Sequence, residues 1–120
     1  MRIFILEDNQ MRINTFKDWY GSDHELTIVT NAQEAIVLLA LSSNYDIFFL
    51  DHDLGDRVFV DVQDPNTGST VAKFLESLEV TGKIIIHSWN IGGARYMMNH
   101  LPKAIYEPFN PLQKYPLEMV

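Results

Sequence analysis

Five short apolar runs recur along the chain, at residues 2–6, 26–29, 46–50, 83–86 and 104–106, and a helix-patterned segment follows each of the first four. A run that is apolar on both sides, such as Arg2-Ile3-Phe4-Ile5-Leu6, makes a strand that must be covered on both faces. Strands joined through helices are linked by crossovers and therefore run parallel. This alternation leaves few architectures open to 120 residues, a length that suffices for one core but not for two.

The helical segments carry their own punctuation. The first begins at Asn9 or Asn14 and runs to Tyr20, with Met11, Phe16 and Tyr20 among its apolar positions and Gly21 stopping it. Thr30 or Asn31 caps the second, residues 32–41, where Glu34 completes a capping box with Asn31. The third, residues 70–79, sets Val71, Phe74, Leu75 and Leu78 on one face, and the fourth spans residues 91–101. A short helix is expected in the tail opened by Asn110-Pro111. Together these elements predict one α/β domain over residues 1–120, a flavodoxin-like three-layer sandwich around a five-stranded parallel sheet of order 2-1-3-4-5.

One connection breaks the rhythm. Residues 51–69 separate the third strand from its helix, where about two to six residues usually suffice. Within them, residues 58–62 are apolar enough for a small flap or an extra strand.

In a parallel sheet the strand ends all open onto one edge, and ligands bind there beside the point where strand order reverses. The first strand ends in Glu7-Asp8, the third in Asp51-His52-Asp53, the fourth in His87-Ser88-Trp89-Asn90 and the fifth in Glu107-Pro108. The predicted order makes these strands neighbours, so five carboxylates and two histidines share one edge. Crowded carboxylates raise the cost of ionising one another. Lys103 and Arg95, the nearest basic residues in sequence, lie a turn or more away. A divalent cation is the economical counter-charge, with Glu7, Asp8, Asp51, Asp53 and Glu107 as its ligands. Oxygen donors alone suit magnesium, manganese or calcium, while His52 and His87 tilt the choice toward manganese, zinc or iron.

Asn66-Thr67-Gly68-Ser69-Thr70 leads small hydroxylated residues and a glycine into a helix, a pattern that either presents free amides to an anion or simply caps. Gly92-Gly93 poses the same choice between close approach to a ligand and tight helix packing. Trp89 and Tyr106 either stack a base or belong to the core.

The net charge of −7 argues against a long nucleic acid as partner but not against a small phosphorylated ligand. The absence of cysteine rules out disulfides, thiolate zinc sites and cysteine nucleophiles. The first apolar run is too short for a signal peptide or a membrane span, so a cytoplasmic protein without a membrane partner is expected.

The acidic pair after the first strand and Asp51 at the end of the third resemble the receiver domains of two-component response regulators. Those domains hold magnesium in such a pocket and are phosphorylated on the aspartate that ends strand three. This chain departs from them at Glu107, in "YEPF", where receivers place a lysine. It also departs at His87-Ser88, where receivers carry serine or threonine, and in "DHDLG", which adds His52 and Asp53. The fuller match is to cyclic-phosphate processing receiver domains, whose motifs "LEDN", "LDHDLG" at residues 50–55, "TG" at 67–68 and "HSWN" at 87–90 resemble across essentially the whole chain. That resemblance implies metal-dependent activity on cyclic or terminal phosphates of nucleotides or RNA ends. Stand-alone members resemble phage-encoded proteins, which points to a cyclic-nucleotide immune signal in the host cytosol.

The leading expectation is thus a metal-dependent phosphodiesterase acting on a cyclic phosphate. One or two divalent ions, magnesium or manganese first and zinc or iron next, would offset phosphate charge and acidify a water. Asp51, His52 and His87 are the candidate catalytic residues, with His52 or His87 passing a proton to the leaving oxygen. Ser88, Asn90, Thr67 and the amides near Gly68 would orient the phosphate. A protein that only sequesters a cyclic nucleotide and a degenerate phosphoacceptor at Asp51 are the alternatives. A pocket completed across a homo-oligomer would suit so small a domain.

Overall fold

In the computed structural model, which describes residues 1–117, the strands are β1 (Arg2–Leu6), β2 (Glu25–Val29), β3 (Ile47–Leu50), β4 (Lys83–Ile86) and β5 (Ile105–Tyr106). Between them run α1 (Gln10–Tyr20), α2 (Ala32–Leu41), α3 (Gly68–Leu78) and α4 (Ile91–His100). The five strands form one parallel sheet in the order β2-β1-β3-β4-β5. Caps set two helix starts. The Asn9 side chain accepts from the Arg12 amide at 3.1 Å, and Asn31 accepts from the Glu34 amide at 2.8 Å. Among the described residues no helix is long and apolar enough to cross a membrane.

The register decides what each face of the sheet carries. Leu6, Leu50 and Ile86 stand side by side and join the core formed with Ala35, Val71, Leu75 and Met97 under α2, α3 and α4. Ile5, Phe49 and Ile85, one residue earlier, point the other way and pack with Phe16 and Tyr20 of α1, and with Phe109 and Leu117. Successive side chains of a strand alternate faces, so a single residue step decides which set of helices a side chain meets.

Three expectations need correction. Residues 58–62 form bends leading into a turn rather than an extra strand, because the Asp53 carboxylate takes the Phe59 amide at 2.6 Å and the Val60 amide at 3.2 Å, removing both from any ladder. The pairing found in this loop is an isolated antiparallel bridge between Asp53 and Thr67. The tail after β5 makes a turn at residues 111–113 and no α-helix among the described residues; Pro108, Pro111 and Pro116 each lack the amide a helix would use. Helix α3 starts at Gly68, before the expected Thr70, where a side chain would run into the Asp51 carbonyl and the Met97 methyl.

Candidate functional site

Backbone pairing continues one residue past the strand ends. The Glu7 amide donates to Val29 O, Asp51 to Leu6 O, His87 to Leu50 O and Glu107 to Ile86 O, at 2.9–3.1 Å. These bonds hold Glu7, Asp51 and His87 in one row at the sheet's C-terminal edge, all directed to the α1 face by the alternation that sends Ile5, Phe49 and Ile85 there. All three are buried, and one ligand atom from each lies within 4.8 Å of the others.

His87 is buried among aromatic side chains. Its Nε2 donates to Glu7 Oε1 at 2.9 Å, and its ring meets Phe16 edge-on at 5.3 Å. Burial alone would raise the Glu7 pKa, but the bond from His87, its charge, the Asn9 amide and Arg12 together hold it below the ordinary carboxylate value. Asp51 goes the other way. Burial lifts it to about 7, and Glu7 adds to the rise, against the pull of His87, the His52 amide and Arg12.

Arg12 is the residue that sequence reasoning missed. From the first turn of α1, its Nη1 lies 3.7 Å from Glu7 Oε1 and 3.8 Å from Asp51 Oδ2. Its guanidinium also covers the Trp89 ring at 4.3 Å from the centroid. Lys103, one of the two basic residues expected nearest the site, instead lines a cavity with Met1, Asp46 and Gly82. A signal did exist. A cation in a helix's first turn opposes the helix dipole, so Arg12 called for a local anion to explain it.

Above this row opens a cleft of about 310 Å³ lined by Glu7, Asp8, Arg12, Asp51, Asp53, Asp56, Arg57, Phe59, Ser88, Trp89 and Asn90, among others. Asp8 is half-buried on its wall, with Oδ2 accepting the Asp56 amide at 2.7 Å. Arg57 is committed to the loop, pairing with Asp64 at 2.8 Å and donating to Leu54 O and Asn66 O. Ser88, buried at the cleft wall, accepts from the Asn90 amide through Oγ at 3.0 Å, a bond that does not use its hydroxyl hydrogen.

Several expected site residues lie elsewhere or are otherwise engaged. His52, one step beyond Asp51, turns to the opposite face and is fully buried there. It bonds Asp53 Oδ1 through Nδ1 and Ser69 Oγ through Nε2, both at 2.8 Å. Gly93 of α4 rests on its ring, so His52 is wedged between the loop, α3 and α4 and does not line the cleft. Asp53 reaches the cleft wall but spends its oxygens on His52, Asn90 and the Phe59 and Val60 amides, bonds that outweigh burial and lower its pKa. The Gly68 amide donates to His52 O, and the Thr67 hydroxyl to Asp64 O, so neither faces an anion. Asn90 caps α4 by accepting the Gly93 amide. Glu107 is exposed and lines a second cavity with His87, Trp19, Phe109 and Tyr115, without joining the row of Glu7, Asp51 and His87. Of the five carboxylates expected as ligands, the structure gathers Glu7 and Asp51 with His87, and leaves Asp8 and Asp53 on the wall.

The donor set suits a hard or borderline divalent ion: two carboxylates and an imidazole converge, and burial holds the proton on one carboxylate to about 7.

Solved structures share this fold. A CheY-like response regulator receiver domain from Methylobacillus flagellatus superposes with a TM-score of 0.66 at 21% identity, covering 99% of this chain and 96% of its own. The non-phosphorylated HemR receiver domain of Leptospira biflexa gives 0.68 at 20% identity, with coverages of 98% and 86%. The response regulator domain of Thermotoga maritima CheB gives 0.65 at 15% identity, with coverages of 98% and 83%. No curated protein sequence matches the chain. Residues 2–103 match the family described as the cyclic-phosphate processing receiver domain, and the chain belongs to that family.

Proposed function

We propose that the protein is a metal-dependent phosphodiesterase that opens a cyclic phosphate on a nucleotide or an RNA end. The observation that carries this reading is the row of Glu7, Asp51 and His87, with ligand atoms within 4.8 Å, whose two carboxylates line a largely acidic cleft beside Arg12. Arg12 does not neutralise the row. One guanidinium faces two carboxylates beyond hydrogen-bond length, and Asp51 still holds its proton to about 7.

Glu7, Asp51 and His87 would hold a divalent cation, manganese or magnesium first, and Asp8 stands close by on the cleft wall. When bound, such a cation offsets charge on the phosphate and acidifies a water molecule. The remaining work belongs to the chain. Arg12 presents N–H groups to the phosphate oxygens, and the Ser88 hydroxyl donates a further hydrogen bond. In hydrolysis the water gives up a proton as its oxygen bonds phosphorus, one ester P–O bond breaks and the leaving oxygen takes up a proton, so the ring opens with net addition of one water. His87, fixed by Glu7, keeps its Nε2 aimed into the row. Trp89 backs the Arg12 guanidinium, and Phe16 packs edge-on against His87. The natural ligand would be a small cyclic nucleotide in a host cytosol, the setting in which phage-encoded relatives would meet an immune signal.

The test is direct. Wild-type protein and the Asp51→Asn and His87→Asn variants are challenged with cyclic mono- and oligonucleotides, with and without manganese, and products are read by mass. Manganese-dependent ring opening that both variants lose is expected; full activity in both variants overturns the proposal.

A further inference from the structure

Two aromatic rings stand at the mouth of the cleft where a folded chain would ordinarily bury them. Phe59 is 78% exposed and Trp89 is 59% exposed, and both line the same cleft as Arg12, Glu7 and Asp51. The backbone of Phe59 and the indole of Trp89 are both held by residues around the cleft. Phe59 adopts φ of 52°, a left-handed conformation that a bulky side chain rarely takes, and its amide is anchored at 2.6 Å by Asp53. Trp89 has its Nε1 tied to Phe109 O at 2.9 Å and one ring face covered by Arg12. Asn90 joins the two segments, donating to Asp53 Oδ1 at 3.0 Å and to Val60 O at 3.3 Å. The strained backbone at Phe59 costs stability, and neither ring contributes to the core.

We propose that Phe59 and Trp89 form a stacking platform for a nucleobase, which makes the ligand of this cleft a nucleotide rather than a base-free phosphate ester. This rests on the reading of the cleft as a phosphate site. Arg12 ties the two functions together, facing Asp51 with its nitrogens while its plane backs the indole, so phosphate and base lie on adjoining surfaces. A volume of about 310 Å³ fits a mononucleotide or one unit of a cyclic oligonucleotide, at the small end of ligand sites. A second copy of the chain is the poorer occupant, because a net charge of −7 would bring like charge to an acidic mouth.

The test compares adenosine 2′,3′-cyclic phosphate with glycerol 1,2-cyclic phosphate, which carries no base, in calorimetric titrations with manganese. Wild type should bind the nucleotide more tightly. Phe59→Ala and Trp89→Ala should each weaken that binding by about 5- to 100-fold, the loss typical of one stacking partner, while weakening the base-free probe by less than about twofold. Trp89→Phe should restore most of the affinity. Equal affinity of wild type for the two probes, a parallel loss of both in the variants, or a dimer that Phe59→Ala dissociates in sedimentation would each overturn the platform. Base-dependent binding without ring opening would leave the platform standing and remove the phosphodiesterase, whereas ring opening of both probes at equal efficiency would do the reverse.

Discussion

His87 Nε2 lies 2.9 Å from Glu7 Oε1, a buried contact that ties the tip of β4 to the tip of β1 across the intervening β3. It joins residues 80 positions apart in sequence and sets the position of both relative to Asp51. Replacing Glu7 by Gln keeps the shape but removes the charge that His87 and Arg12 face. Loss of a buried, charge-assisted hydrogen bond should lower stability by about 1–3 kcal/mol, measured by urea unfolding. The same change removes one of the groups that raise Asp51, so the Asp51 pKa should fall below about 7 when followed by carboxyl NMR.

Asp51 gives the pH dependence. In the unfolded chain it ionises near 3.8, and in the fold only near about 7. Between those values the folded state holds the extra proton, so this group's contribution to stability declines as pH rises from near 3.8 to about 7 and is level above. A divalent cation must displace that proton. Affinity for manganese should therefore climb by up to about tenfold per pH unit below about 7 and level off above it. Calorimetry in buffers of different ionisation enthalpy would show the released proton, and Asp51→Asn should abolish the release.

Arg12 separates charge from shape. On the proposed function, Arg12→Gln should cost about 10²- to 10³-fold in kcat on a cyclic phosphate, as removal of a group aimed at developing charge does. Arg12→Lys should recover only part, since an ammonium supplies the charge but not the planar fork. Both variants should retain the fold, because Arg12 lies outside the buried core.

The architecture could be read from the sequence because its signals are local and repeated. Apolar runs at fixed spacing, the Asn31–Glu34 cap and Gly21 each act within a few residues, and strand order then follows from the crossovers. The site was legible only to the nearest strand end. Asp51 and His52 read as one cluster in "LDHDLG", yet alternation sends them to opposite faces, one to the cleft and one beneath α4. That parity was available from the pleat alone. The commitment of Asp53 to the Phe59 and Val60 amides was not, because it depends on how a long loop closes. Glu107 fell outside the row although β5 neighbours β4, because β5 is an edge strand and leaves it in solvent.

The adjacent glycines of α4 provide a paired test of the role assigned to His52. A Cβ at residue 93 would lie 2.5 Å from His52 Nδ1, in a place closed on its other sides by Ser69 and Asp53. At residue 92 the nearest atom would be Asn90 Oδ1 at 3.7 Å, an ordinary contact. Gly93→Ala should thus cost about 1–3 kcal/mol or more, the usual range for overpacking a buried site. Gly92→Ala should be neutral or stabilise by up to about 1 kcal/mol through helix propensity. If His52 is such a wedge, His52→Gln should resemble Gly93→Ala, lowering the unfolding midpoint and loosening residues 51–67 in hydrogen exchange while leaving manganese affinity within a few-fold of wild type. His87→Asn should show the opposite balance, with metal affinity falling by at least an order of magnitude. Equal loss of metal affinity in the two histidine variants would place His52 back in the site.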